Sequence, residues 1–92
     1  YYNATPENLI TIVKALSAPV RLQIMNYVID KPSTTQSLAQ ILVMSNSSVS
    51  RHLQILKEAN LLTTTKAKKF VLYEPTQLIT QLMPNFYHFF KN

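Results

Sequence analysis

Apolar residues recur at three- and four-residue spacing in five separate stretches of the chain, and two short runs rich in β-branched and aromatic residues interrupt them once. The first stretch opens with Thr5 as an N-cap, Pro6 at the first helical position and Glu7 at the positive end of the dipole. Leu9, Ile12, Val13 and Leu16 form its inward stripe, and Ile10 lies off that stripe. Ser17-Ala18-Pro19 breaks the pattern, because a residue before proline disfavours continued helix. A second helix from about Pro19 to Ile29 sets Val20, Ile24 and Val28 in one row with Leu22, Met25 and Ile29 beside it. So wide an apolar face predicts burial. Asp30-Lys31-Pro32 ends it. Ser33-Thr34-Thr35-Gln36 then has the spacing of a capping box, with Ser33 as the cap, and leads into a third helix with Leu38, Ile41 and Leu42 turned inward. After a Val43-Met44 link, Ser45 caps a fourth helix, in which Val49, Leu53 and Leu56 share one face.

Asn60 tolerates the left-handed conformation that ends a helix. Beyond it the period changes. Leu61 to Thr65 and Phe70 to Glu74 read as two strands flanking a basic tip, Lys66-Ala67-Lys68-Lys69. An isolated hairpin is marginal in water, so this one must pack on the helices. Pro75 closes it, and from Thr76 a fifth helix is expected, kinked or divided at Pro84. The pattern predicts a mainly α domain of five helices with one small β-hairpin.

The fourth helix is polar in an unusual way. Asn46, Ser47, Ser48, Ser50, Arg51 and Gln54 occupy its outer faces, although Ser and Asn are mediocre helix formers. Short donors and acceptors let a helix approach a phosphate backbone, and Arg and Asn read guanine and adenine edges. Two readings fit this stretch alone: a DNA-recognition helix, or a capped amphipathic surface helix. Two short helices joined by a short link, the second polar at its start, also form a helix-turn-helix arrangement.

Charge placement favours the first reading. The net charge of the 92 residues is +5. Arg51, Lys57, Lys66, Lys68 and Lys69 face only Glu58 between positions 51 and 69, so nearly all the excess lies there, as on a polyanion-binding surface. The chain is 47% apolar and 14% charged, which describes a single folded domain. It has no cysteine, so disulfides and thiolate metal sites are excluded. No apolar run reaches the roughly 18 residues of a membrane span, and no signal-peptide pattern opens the chain. A cytoplasmic location with no membrane association is expected. The chain opens on Tyr1, which leaves open whether an N-terminal segment precedes it.

The two ends are more apolar than a lone core requires. Leu78, Leu82, Phe86, Phe89 and Phe90 of the last stretch either fill the core or meet a partner. Together with Leu9 and Ile10 of the first helix, they are the candidate homodimer interface.

Three stretches resemble the ArsR-type winged-helix repressors of bacteria and archaea. Ala15 to Met25 is similar to that family's opening alanine-leucine, proline-x-arginine-leucine run. Ser45 to Leu61 is similar to its recognition segment, including Val49-Ser50-Arg51-His52-Leu53. Lys66 to Tyr73 resembles its basic wing. The resemblance spans residues 9 to 76. It implies one winged helix-turn-helix domain over 1–92, with terminal dimerisation helices at 5–16 and 76–91, the helix-turn-helix at 33–60 and the wing at 61–74. It further implies a homodimer on a near-palindromic operator in double-stranded DNA, with half-sites about 34 Å apart. Asn46, Ser47, Ser50 and Arg51 fall where the family contacts DNA. Lys66, Lys68 and Lys69 would hold phosphates or reach a minor groove. His52 is expected to be buried and hydrogen-bonded.

The chain also departs from that family. Where many members sense metals through a Cys-x-Cys pair, this chain has Thr34 and Gln36. Of the ligands other members carry on the last helix it offers only His88, so no metal site and no cofactor are expected. Val43, Asn60 and Ala67 stand where the family commonly has glycine. The signal expected for such a regulator is an unidentified small molecule between the terminal helices, redox chemistry elsewhere, or nothing beyond its own concentration. The alternative function is a winged-helix scaffold for protein–protein contact. An enzyme is excluded on residues: there is no phosphate-binding glycine loop, the carboxylates Glu7, Asp30, Glu58 and Glu74 are scattered, and Ser50 and His52 point apart on a helix.

Overall fold

The computed structural model describes the backbone of residues 6–77 and the side chains of residues 10–77. Its elements are α1 (Pro6–Ala15), α2 (Pro19–Asp30), α3 (Thr35–Leu42), α4 (Asn46–Glu58), β1 (Leu62–Ala67) and β2 (Phe70–Pro75). The described residues hold four helices and one antiparallel hairpin, the winged helix-turn-helix arrangement. The fifth helix, the Thr5 cap and the interface residues Leu78, Leu82, Phe86, Phe89 and Phe90 lie outside the described residues, as does the side chain of Leu9.

α2 is the spine of the core. Ile24, Met25 and Val28 are fully buried and Ile29 nearly so, as its broad apolar face predicts. Leu38 and Ala39 of α3 and Val49, Leu53 and Leu56 of α4 close the same cluster. Burying side chains of this size is worth about 1.5–3 kcal/mol each. Turning α4 about its axis would expose three of them, so its rotation is set by the core and not by surface contacts.

Two apolar positions differ from expectation. Val13 of α1 is 58% exposed and stands one turn from Ile10, which is 54% exposed. Ile12, Ala15 and Leu16 suffice to seat α1, so the stripe is narrower than the pattern suggested. Ile41 of α3 is also half-exposed; it lines an open cleft with Gln23, Asn26, Tyr27 and Leu42.

The cap of α3 is Thr34, not Ser33: the Thr34 hydroxyl accepts from the Ser37 amide at 3.1 Å. Ser33 is drawn elsewhere. Its amide donates to the Tyr73 carbonyl (3.1 Å) and its carbonyl accepts from the Tyr73 amide (2.8 Å), an isolated antiparallel bridge that pins β2 to the α2–α3 loop.

Both helix ends of the helix-turn-helix close in the same manner. After α4, Asn60 takes φ 63°, its amide donates to the Lys57 carbonyl and the Leu61 amide to the Leu56 carbonyl. This is a Schellman motif with its usual apolar contact, because Leu56 and Leu61 are both fully buried. After α3, Val43 takes φ 55° and ψ 52°, and the Met44 amide reaches the Ala39 carbonyl at 3.0 Å. The third left-handed residue is Lys68 at φ 58°, one place after Ala67, where the resembled family commonly has glycine. Ala67 pairs with Phe70, so the hairpin turn is only Lys68-Lys69 and the positive φ falls on its first residue, as in a type II′ turn. Lys66 and Ala67 belong to β1, which makes the wing tip shorter than expected.

A valine in the left-handed region is costly, on the order of 1–3 kcal/mol. Val43 is 89% exposed, so no packing compensates. Val43→Asn is therefore expected to stabilise the fold by about 1 kcal/mol in chemical denaturation, with the unfolding slope unchanged.

Candidate nucleic-acid interface

The exposed edge of α4 begins at its cap. The Ser45 hydroxyl accepts from the Ser48 amide at 3.2 Å, donates to the Ser48 hydroxyl at 3.0 Å and lies 3.2 Å from that of Ser47. No acidic residue stands in the first turn. The positive end of the dipole therefore opens onto hydroxyl groups, an arrangement that suits an anion.

Asn46, Ser47, Ser48, Ser50, Arg51 and Gln54 are all exposed. Asn46, Ser50 and Arg51 make no hydrogen bond within the described residues beyond those of the helix itself. Gln54 is tied back along the helix, its amide donating to the Glu58 carboxylate at 3.2 Å. Ser50 and His52 form no pair, as the helical spacing requires.

The wing brings Lys66, Lys68 and Lys69, all exposed. Lys66 shares a strand face with Leu62 and Thr64, while Lys68 and Lys69 form the turn. The Lys69 ammonium sits 5.8 Å from the centre of the half-exposed Phe70 ring. The base of the wing is fastened to the end of α4: the Thr76 amide donates to the Leu61 carbonyl at 3.1 Å and its hydroxyl to the Asn60 carbonyl at 2.8 Å. Helix and wing therefore form one unit, with Leu61 and Leu62 buried at the joint.

His52 is half-buried and hydrogen-bonded, its Nδ1 lying 3.1 Å from a guanidinium nitrogen of Arg21. Burial lowers its pKa below the ordinary 6.5, and the charges of Arg21 and then Arg51 push in the same direction. No role for Arg21 is visible in the sequence. Its one signal was its place as the lone cation in the apolar α2, within the proline-x-arginine-leucine run.

No group of three histidine, cysteine or acidic residues that could hold a metal occurs among the described residues. No helix there is long and apolar enough to cross a membrane.

The family of bacterial regulatory proteins termed the arsR family matches residues 18–64, just over half of the sequence and all of α2, α3 and α4. The chain belongs to the ArsR family. Solved structures share its fold. HlyU from Vibrio cholerae superposes with a TM-score of 0.77 at 25% identity, covering 90% of this chain and 88% of that one. The transcriptional repressor BigR from Xylella fastidiosa gives a TM-score of 0.70 at 24% identity, covering 94% and 89%. The homodimeric winged helix-turn-helix DNA-binding domain Mb0332 from Mycobacterium bovis gives 0.80 at 17% identity over 97% and 85%, a likeness of fold. No protein of curated function matches by sequence. The ArsR relatives are regulators, not enzymes.

Two outcomes follow from the geometry of α4. Ser45→Ala is expected to cost about 1 kcal/mol of stability, whereas Ser45→Asp keeps the cap and most of the stability, as thermal melts will show. His52 binds a proton less tightly folded than unfolded, so the folded state is favoured above about pH 6.5. That contribution is lost as pH falls from there through the lowered folded value. The melting temperature of His52→Gln is expected to fall less between pH 7 and pH 5 than that of the wild type.

Proposed function

We propose that this ArsR-family protein is a sequence-specific regulator that binds double-stranded DNA as a homodimer, most simply a repressor that occludes a promoter at a near-palindromic operator. The observation that carries this reading is the outer edge of α4. Its fully buried opposite side leaves short polar residues and one arginine as its exposed surface, at a helix start with no acidic residue, and its end is fastened to a lysine-tipped hairpin.

In this reading Asn46, Ser47, Ser50 and Arg51 meet base edges and nearby phosphates in the major groove. Ser48 and the start of α4 take a phosphate. Gln54 joins them when it releases Glu58. Lys66, Lys68 and Lys69 neutralise phosphates beside the groove, so affinity falls steeply with salt. The second copy is met by α1 and the C-terminal helix. Support for the α1 part is the exposed pair Ile10 and Val13, two large apolar side chains on one helical face. An unidentified small molecule at that terminal-helix interface is the proposed effector, and the cytoplasm the proposed location.

The test is a gel shift with the DNA upstream of the protein's own gene and with random-sequence duplex, at two salt concentrations. Arg51→Ala is expected to weaken operator binding by about 1–3 kcal/mol and relax its sequence preference. Lys68→Ala weakens both duplexes alike and lowers the salt slope by about one unit. Equal losses on both duplexes from both substitutions would contradict these roles. Absence of any binding at low salt would favour a protein-interaction scaffold.

A further inference from the structure

Arg21 stands in the first turn of α2, but its guanidinium serves two other helices. Its Nε donates to the Ala15 carbonyl at 2.6 Å and one Nη to the Lys14 carbonyl at 3.2 Å, both at the C-terminal end of α1. That end carries unsatisfied carbonyls and the negative pole of the helix, so a cation there is stabilising. The other Nη lies 3.1 Å from Nδ1 of His52 on α4. A guanidinium can only donate. Nδ1 must therefore accept, and the single proton of the neutral ring resides on Nε2.

We propose that Arg21 is a positioning residue for DNA reading: through His52 it locks α4 to the end of α1, and the lock opens when the imidazole takes a second proton. The inference rests on the reading of α4 as the DNA-facing helix. It gives α1 a part in base recognition, because the helix bearing exposed Ile10 and Val13 is then tied by one side chain to the residue adjoining Arg51.

The groups around the ring make the lock sensitive to protons. α2 brings Arg21 and α4 itself brings Arg51, while α1 offers the Lys14 and Ala15 carbonyls that hold the Arg21 guanidinium. No acidic group among the described residues offsets these charges at His52. Protonation at Nδ1 removes the only acceptor offered to that Nη and leaves two cations in contact. The consequences for DNA have opposite signs. Added charge beside Arg51 strengthens attraction to any phosphate backbone, while α4, its rotation still set by the core, loses the tie that holds His52 to α1 and with it the fine placement of the adjoining Arg51 against base edges. Acid should therefore lower specificity without lowering non-specific affinity, a split that a merely structural role would not produce.

The experiment uses the full chain, a duplex selected by the wild type from a randomised pool, and a random-sequence duplex of equal length. Affinities are compared at pH 7.5 and pH 5.5 in constant salt. The wild-type ratio of selected to random affinity is expected to fall about fivefold on acidification, the worth of one hydrogen bond. His52→Gln, whose amide oxygen accepts from Arg21 and does not titrate, should hold the ratio at both pH values. Arg21→Lys, too compact to serve three acceptors at once, should show the lowered ratio at pH 7.5 already and little further change. Nitrogen NMR of the wild-type imidazole, without DNA, should show the Nε2–H tautomer at pH 7.5 and a titration midpoint below 6.5. An Nδ1–H tautomer, or an equal acid-induced fall in His52→Gln, overturns the inference and leaves the DNA reading intact. If no duplex is ever enriched over random sequence, the DNA reading fails and this inference with it.

Discussion

Complete burial of Val49, Leu53 and Leu56 against α2 and α3 decides which edge of α4 meets solvent. Each of these side chains contributes more than an exposed polar contact, whose worth is about 0–1 kcal/mol. The serine- and arginine-bearing edge is therefore outward by exclusion, before any partner is present. The same constraint extends into the wing. Leu61 and Leu62 continue the buried row after Asn60 turns the chain, so the start of β1 is fixed by the core that fixes α4.

Electrostatics then act on a frame already set by packing. The described residues bury no polar or charged side chain completely, and the lysines of the wing stand free in solvent, where each is worth little to folding. Their value lies in the summed field they offer to a polyanion. Arg21 and His52 are the exception. They meet in a half-buried corner, where a guanidinium and a neutral ring join three helices.

Most of this architecture was legible from periodicity and end signals. α2 begins at Pro19 as read and ends at Asp30, one residue past the expected Ile29; Ser45 caps α4, and the inward row of α4 is the one its spacing implies. The misses have local physical causes. Ser33 was a plausible cap until Tyr73, forty residues away, took its backbone into a bridge and passed the capping role to Thr34. Periodicity assigns Val13 and Ile41 to stripes but cannot say how wide a stripe the neighbouring helices cover. Two of the positions where the family commonly has glycine, Val43 and Asn60, take left-handed backbone at a helix end. At the wing the demand fell one residue later, on Lys68, because hairpin register places it and no helix signal reports that register. On α4 every polar position assigned to the surface is exposed. The Arg21–His52 contact joins residues 31 apart, and no local pattern announces it.

The bridge between Ser33 and Tyr73 also makes the wing a lever with a fixed fulcrum. From Tyr73 outward to Lys69 is four residues, about 13 Å of strand. A pivot of about ten degrees at the bridge would carry the lysine ammoniums through roughly 2 Å, given that strand rise. Such a swing leaves the pairing between β1 and β2 whole, so a stiff hairpin can follow a backbone whose groove width varies with sequence.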